Sequence, residues 1–230
     1  MLIGPQNLTA HVNQVRSRIR YAALAAGRDP DSVTLIAVSK GKSAESIEQA
    51  ATAGVTDFGE NYLKEAIEKL DALAALDVRW HYIGQIQSNK TRPIAQRFSW
   101  VHSLDRIGIA RRLSEQRPYH APPLQVCLQV ALVAEPAKGG VPPDSLLELA
   151  AEVAALPRLE LRGLMCIPPP QSDPQGERAL FARLRSLKDQ LNANGLKLDT
   201  LSMGMSADFE SAIAEGATMV RIGTALFGER

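Results

Sequence analysis

A chain of 230 residues, 45% hydrophobic and 22% charged, suffices for one large soluble domain with a sizeable core. Its net charge of +1 leaves no broad electrostatic footprint for a nucleic acid, and no Lys/Arg-rich run supplies a local one. No apolar stretch approaches the roughly 20 residues of a bilayer span, and "MLIGPQNLTA" lacks the basic-then-apolar order of a signal peptide, so a cytoplasmic protein is expected.

In "NLTAHVNQVRSRIRYAALAAG", Leu8, Val12, Val15, Ile19 and Ala22 recur at helical spacing, with Gly27 as the stop. "VTLIAVSK" follows as a β-branched apolar run, read as a strand buried on both faces and ending on Lys40. "SAESIEQAATAG" predicts a helix capped by Ser43 and ended at Gly54. The couplet then recurs. "VTDFGEN" precedes the helix "YLKEAIEKLDALAAL". "VRWHYIG" precedes "NKTRPIAQRF", opened by Pro93, and "WVHSL" precedes "DRIGIARRLSEQR". "LQVCLQVAL" leads through a loop at "EPAKGG" to "PDSLLELAAEVAAL", and "LELRGLMCI" to "GERALFARLRSLKDQLNANG". "DTLSMG" with "SADFESAIAEG" and "TMVRIG" with "TALFGER" close the series.

Strands joined by helices run parallel, because the helix is the crossover. About eight such couplets behind a leading helix predict a closed (β/α)8 barrel of the TIM type, as a single domain over residues 1–230. An open doubly wound sheet is the structural alternative. In a barrel, the chemistry gathers at the carboxyl ends of the strands, and phosphates often bind after strands 7 and 8.

The tripeptide Gly41-Lys42-Ser43 resembles the end of a phosphate-gripping Gly-x-x-x-x-Gly-Lys-Ser loop. The first glycine of that pattern would fall at Ile36, inside the first strand, so the reading fails. Lys42 is then a solvated residue at the start of the next helix or a secondary charge near the site mouth. Lys40 is the more informative lysine. It shares a strand face with Ile36 and Val38 and would project from the top of the barrel core, either to snorkel to solvent or to attack a carbonyl compound. After strand 7, Ser206 is placed either to cap a helix or to grip a phosphate, with Asp208 as a competing carboxylate. After strand 8, Arg221, Gly223 and Thr224 offer a cation, close backbone approach and a hydroxyl. Cys127 and Cys166 sit in apolar runs and read as core residues. The four histidines lack metal-site spacing, so no metal is expected. A lysine, a phosphate cradle and an arginine facing one cavity suggest pyridoxal phosphate.

The stretches "LIAVSK", "FGENYLKE", "WHYIGQIQSNK", "LRGLMCIP", "LSMGMSADFE" and "TMVRIGTALFG" resemble those of the pyridoxal phosphate homeostasis protein family, stand-alone relatives of the alanine racemase N-terminal barrel. They cover most of the chain, in the family's order. The resemblance implies that Lys40 carries pyridoxal 5'-phosphate as an imine. It implies that Ser206, Gly223 and Thr224 hold the phosphate, that Arg221 faces the pyridine nitrogen, and that Asn61 lies beside the cofactor. His81 either approaches the ring or packs in the core. Two departures stand out: Gly41-Lys42-Ser43 replaces the family's usual Thr-Lys-Pro, which is expected to loosen the loop, and Ile86 replaces a leucine.

The related racemases add a β-rich domain that brings a second base and builds the dimer. This sequence ends soon after strand 8, leaving Lys40 as the evident base. The expected function is therefore a non-catalytic binding protein in intracellular pyridoxal phosphate (vitamin B6) homeostasis, a monomer that passes the cofactor to apo-enzymes. The alternatives are a weak amino-acid racemase or lyase, and an interaction module that docks through the "EPAKGG" loop with Lys138.

Overall fold

The computed structural model describes residues 5–133, 139–169 and 173–228. Eight strands close into one barrel in chain order, every neighbouring pair parallel. They are β1 (Thr34–Val38), β2 (Asp57–Glu60), β3 (Arg79–Tyr82), β4 (Trp100–Leu104), β5 (Leu124–Gln129), β6 (Leu159–Met165), β7 (Thr200–Ser202) and β8 (Met219–Ile222). A leading helix α1 (Pro5–Ala25) precedes β1. The crossovers are α2 (Ala44–Thr52), α3 (Leu63–Ala72), α4 (Thr91–Arg97), α5 (Ile107–Gln116), α6 (Leu146–Ala154), α7 (Pro174–Ala193) and α8 (Phe209–Ala214), and α9 (Thr224–Phe227) follows β8. The barrel expectation holds, and the open sheet does not.

The two-residue strand period sorts the core into two shells. Ile36, Trp100, Cys127, Met165 and Met219 meet inside the barrel. Their strand neighbours, such as Ala37, Val101, Val126, Leu164 and Val220, pack outward against the helices. Both cysteines are buried free thiols, and burial pushes each thiol up to about 12. They are inert core residues.

Several boundaries differ from the sequence expectation. β1 stops at Val38, so Lys40 is not its last residue. Ser39 N still donates to Gly59 O, but Lys42 N then donates back to Ser39 O and the chain turns. α2 is capped as expected, with Ser43 Oγ accepting from Ser46 N at 3.3 Å. α4 opens at Thr91 rather than Pro93, which sits in the first turn, where a missing N–H is tolerated. α8 starts at Phe209, not Ser206, because residues 206–208 are spent in a turn: Asp208 N and Phe209 N both reach Met205 O. Residues 134–138, including Lys138 and most of the "EPAKGG" loop, lie outside the described residues.

Candidate functional site

At the carboxyl ends of the strands lies a cavity of about 370 Å³, and Lys40, Asn61, Ser206, Arg221, Gly223 and Thr224 all line it. Residues from the β1, β2, β7 and β8 ends thus meet in one place. His81 does not join them. It is fully buried in the barrel lumen and stacks on Trp100 with ring centroids 5.7 Å apart.

The turn that carries Lys40 is clamped from below. Lys69, buried on α3, donates to Ser39 O at 2.7 Å, to Glu60 Oε1 at 2.7 Å and to Glu65 Oε1 at 2.5 Å. Ser39 Oγ also donates to Glu60 Oε1 at 2.6 Å. Glu60 is held above the usual carboxylate range by burial, against hydrogen bonds from Lys69 and Ser39. Gly41 has φ +71° and its N–H donates to Glu65 Oε1 at 2.5 Å. The glycine therefore supports a left-handed turn residue rather than loosening the loop. Lys42 is not a simple solvated residue: its Nζ donates to Phe227 O at 3.1 Å and Gly228 O at 3.2 Å, tying the turn to α9.

Ser206 does not cap α8. Its Oγ accepts from Ala225 N at 3.3 Å, joining the β7–α8 turn to the first turn of α9. The competing carboxylate is turned away: Asp208 Oδ1 accepts from Met205 N at 2.5 Å, and burial raises its pKa despite that bond. Asp208 does not line the cavity. Gly223 leads into α9 with its Cα against Val38; an added Cβ would meet Val38 O at 3.4 Å.

Arg221 is 4% exposed. Its Nη1 donates to Ser202 Oγ at 2.7 Å and its Nη2 to Cys166 O at 2.9 Å. No carboxylate pairs with it directly among the described residues, and Arg221 lines the cavity. The sequence reading missed Ser202, His102, Asp57 and Lys69. Polar residues on barrel strands, at the end of β7, in the middle of β4 and at the start of β2, were the available signal for the first three.

A closed parallel barrel with a lysine at its upper mouth and a buried arginine on the last strand defines a class of protein. The family model described as alanine racemase, N-terminal domain, matches residues 10–230. A pyridoxal phosphate homeostasis protein of Pseudomonas aeruginosa is 58% identical, covering 97% of this chain and 96% of its own. That of Escherichia coli K12 is 46% identical, covering 97% of each. The chain belongs to the pyridoxal phosphate homeostasis protein family. Among solved structures, PipY of Synechococcus elongatus with pyridoxal phosphate (PLP) bound is similar at TM-score 0.82 and 40% identity, over 92% of this chain and 99% of that one. An alanine racemase of Corynebacterium glutamicum shares the fold at TM-score 0.69 and 18% identity, over 94% of this chain and 60% of that one.

Proposed function

We propose that this protein binds pyridoxal 5'-phosphate through Lys40 and serves intracellular pyridoxal phosphate homeostasis, without a substrate turnover of its own. The observation that carries the reading is the convergence of Lys40, Arg221 and the Ser206–Gly223–Thr224 edge on one cavity. When bound, the cofactor supplies an aldehyde, a basic ring nitrogen and a phosphate.

Among the described residues, Lys40 supplies the only amine of the lining. Ser206 and Thr224 offer hydroxyls to the phosphate, and Gly223 offers unobstructed backbone. Arg221 presents donors alone, so a ring nitrogen facing it stays unprotonated. Asn61 Oδ1 is buried without a hydrogen-bond partner among the described residues, an acceptor waiting for a polar ligand. These residues fit the cofactor. Among the described residues, the lining contains no carboxylate, imidazole or phenol beside Lys40. That favours holding over racemisation, which needs a base on each face.

The same reading takes residues 1–230 as one domain, a monomer in the cytoplasm, with apo-enzymes as recipients of the cofactor. No helix among the described residues is long and apolar enough to cross a membrane. The test is borohydride reduction of the protein incubated with PLP, followed by peptide mass spectrometry. The adduct is expected on Lys40 and absent in Lys40→Ala. A wild-type protein with no reducible adduct at Lys40 would sink the reading.

A further inference from the structure

A line of buried polar side chains crosses the barrel lumen from the lower end of β2 to Arg221. Asp57 Oδ1 lies 2.9 Å from His81 Nε2, and His81 Nδ1 lies 2.9 Å from His102 Nε2. His102 Nδ1 lies 2.8 Å from Ser202 Oγ, which accepts from Arg221 Nη1 at 2.7 Å. His81, His102 and Ser202 are wholly buried. At the lower end, Arg79 Nη2 donates to Asp57 Oδ2 at 2.7 Å.

The two ends set the direction of every bond between them. A carboxylate only accepts and a guanidinium only donates. With Asp57 accepting, His81 carries its proton on Nε2, and its Nδ1 must accept. His102 therefore donates from its own Nε2, and its Nδ1 accepts from the Ser202 hydroxyl. Ser202 oxygen is then free to accept from Arg221. Burial disfavours charge on both imidazoles, which matches this neutral arrangement. No donor or acceptor in the line is wasted, and all the dipoles point one way.

We propose that Ser202, His102 and His81 are positioning residues that act on the bound cofactor through Arg221. They link the buried guanidinium to the Asp57 carboxylate and so fix which Arg221 N–H groups face the cavity. This inference rests on the pyridoxal phosphate reading. Ordinary packing would need no such polarity, because the surrounding lumen is apolar: Ile36, Trp100, Cys127, Met165 and Met219. The line also gives a buried cation its counter-charge without putting a carboxylate beside the ring nitrogen.

The experiment compares variants that cut the line with variants that preserve its donor and acceptor pattern. Ser202→Ala and His102→Leu cut it. Ser202→Thr keeps the hydroxyl, and His102→Gln keeps one acceptor and one donor. The cutting pair should weaken PLP binding by about tenfold, the scale of one unmet buried hydrogen bond. They should also move the pH midpoint of the bound-cofactor absorbance, whereas the preserving pair should stay near wild type. A purely structural role would lower the melting temperature and leave that midpoint unmoved. Folded cutting variants with wild-type affinity and titration would overturn the proposal. A wild-type protein with no Lys40 adduct would instead remove the site itself. Should the cutting variants fail to fold, ¹⁵N spectra of histidine-labelled wild-type protein decide. Two imidazoles should be neutral with the proton on Nε2 at neutral pH, and an imidazolium or an Nδ1–H form at His81 or His102 would overturn the assignment.

Discussion

Lys69 Nζ lies 2.7 Å from the carbonyl oxygen of Ser39, so a buried cation on α3 holds the residue next to Lys40. The same ammonium neutralises Glu60, whose side chain has no exposure. Lys69→Met leaves that carboxylate buried and unpaired, which typically costs about 3–5 kcal/mol. Lys69→Met combined with Glu60→Gln removes both charges and should recover a large part of the loss. Urea unfolding of the three proteins tests this. Equal stability of the single and double variants would show that the pair is not coupled.

Acid should destabilise the fold in two stages. Burial opposes ionisation of Asp57, but hydrogen bonds from His81, Arg79 and Thr56 outweigh it and hold the carboxyl down at about 2. Its contribution is present above an unfolded value of about 3.9 and is lost as pH falls toward the folded value. Burial also depresses both His81 and His102. Below about pH 6.5 the unfolded chain takes up protons that the folded chain refuses, so stability drops there first. Urea midpoints should therefore fall steadily from neutral pH downward. Asp57→Asn should flatten the lower, carboxylate stage; an unchanged profile would remove Asp57 from the account.

Gly41→Thr puts a β-branched residue into the turn directly after Lys40. Here φ is +71°, and the N–H is held by Glu65. A left-handed non-glycine residue costs roughly 1–2 kcal/mol, with β-branched side chains the least suited. A matching drop in urea stability is expected. A neutral substitution would mean that the turn re-forms with negative φ.

Gly84 packs its Cα against the backbone of Asn61, where an added Cβ would sit 2.0 Å from Asn61 O. Gly84→Ala must push the β2 end away, at a cost of about 1–3 kcal/mol for forced overpacking. Because Asn61 lines the cavity, PLP affinity should fall together with melting temperature. Retained affinity in a destabilised Gly84→Ala protein would show that the Asn61 backbone position is unimportant to the ligand.

The strand–helix alternation was legible because buried parallel strands read as apolar runs and their crossovers as amphipathic ones. The strand-end rule, with the family motifs beside it, led to Lys40, Asn61, Ser206, Arg221, Gly223 and Thr224. Turn chemistry was harder to read. The apolar pattern alone carried β1 to Lys40 and started α8 at Ser206, but hydrogen bonds at Ser39 O and Met205 O reverse the chain earlier. Lys69 was hidden because a lysine on an amphipathic helix normally reads as solvated. His81 was recognised as a barrel-strand residue, but its link to His102 and Ser202 depends on barrel stagger. Strand periodicity says which way a side chain faces and not how deep its neighbour lies.

The fastening of α9 has a kinetic and a thermodynamic consequence. His11 Nδ1 lies 3.0 Å from Leu226 O, and Lys42 Nζ reaches Phe227 O and Gly228 O. Early segments thus anchor the late helix that carries Thr224. The cavity lining spans Val38 to Thr224, so no short fragment of the chain contains it, and long-range contacts of this kind make a late, slow step in folding. A ligand there recognises only the finished barrel, so its binding free energy adds to global rather than local stability. At a free concentration 100 times its dissociation constant, that addition is about 2.7 kcal/mol. Ligand supply would then shift the population of intact molecules as a whole, and resistance to proteolysis would track occupancy.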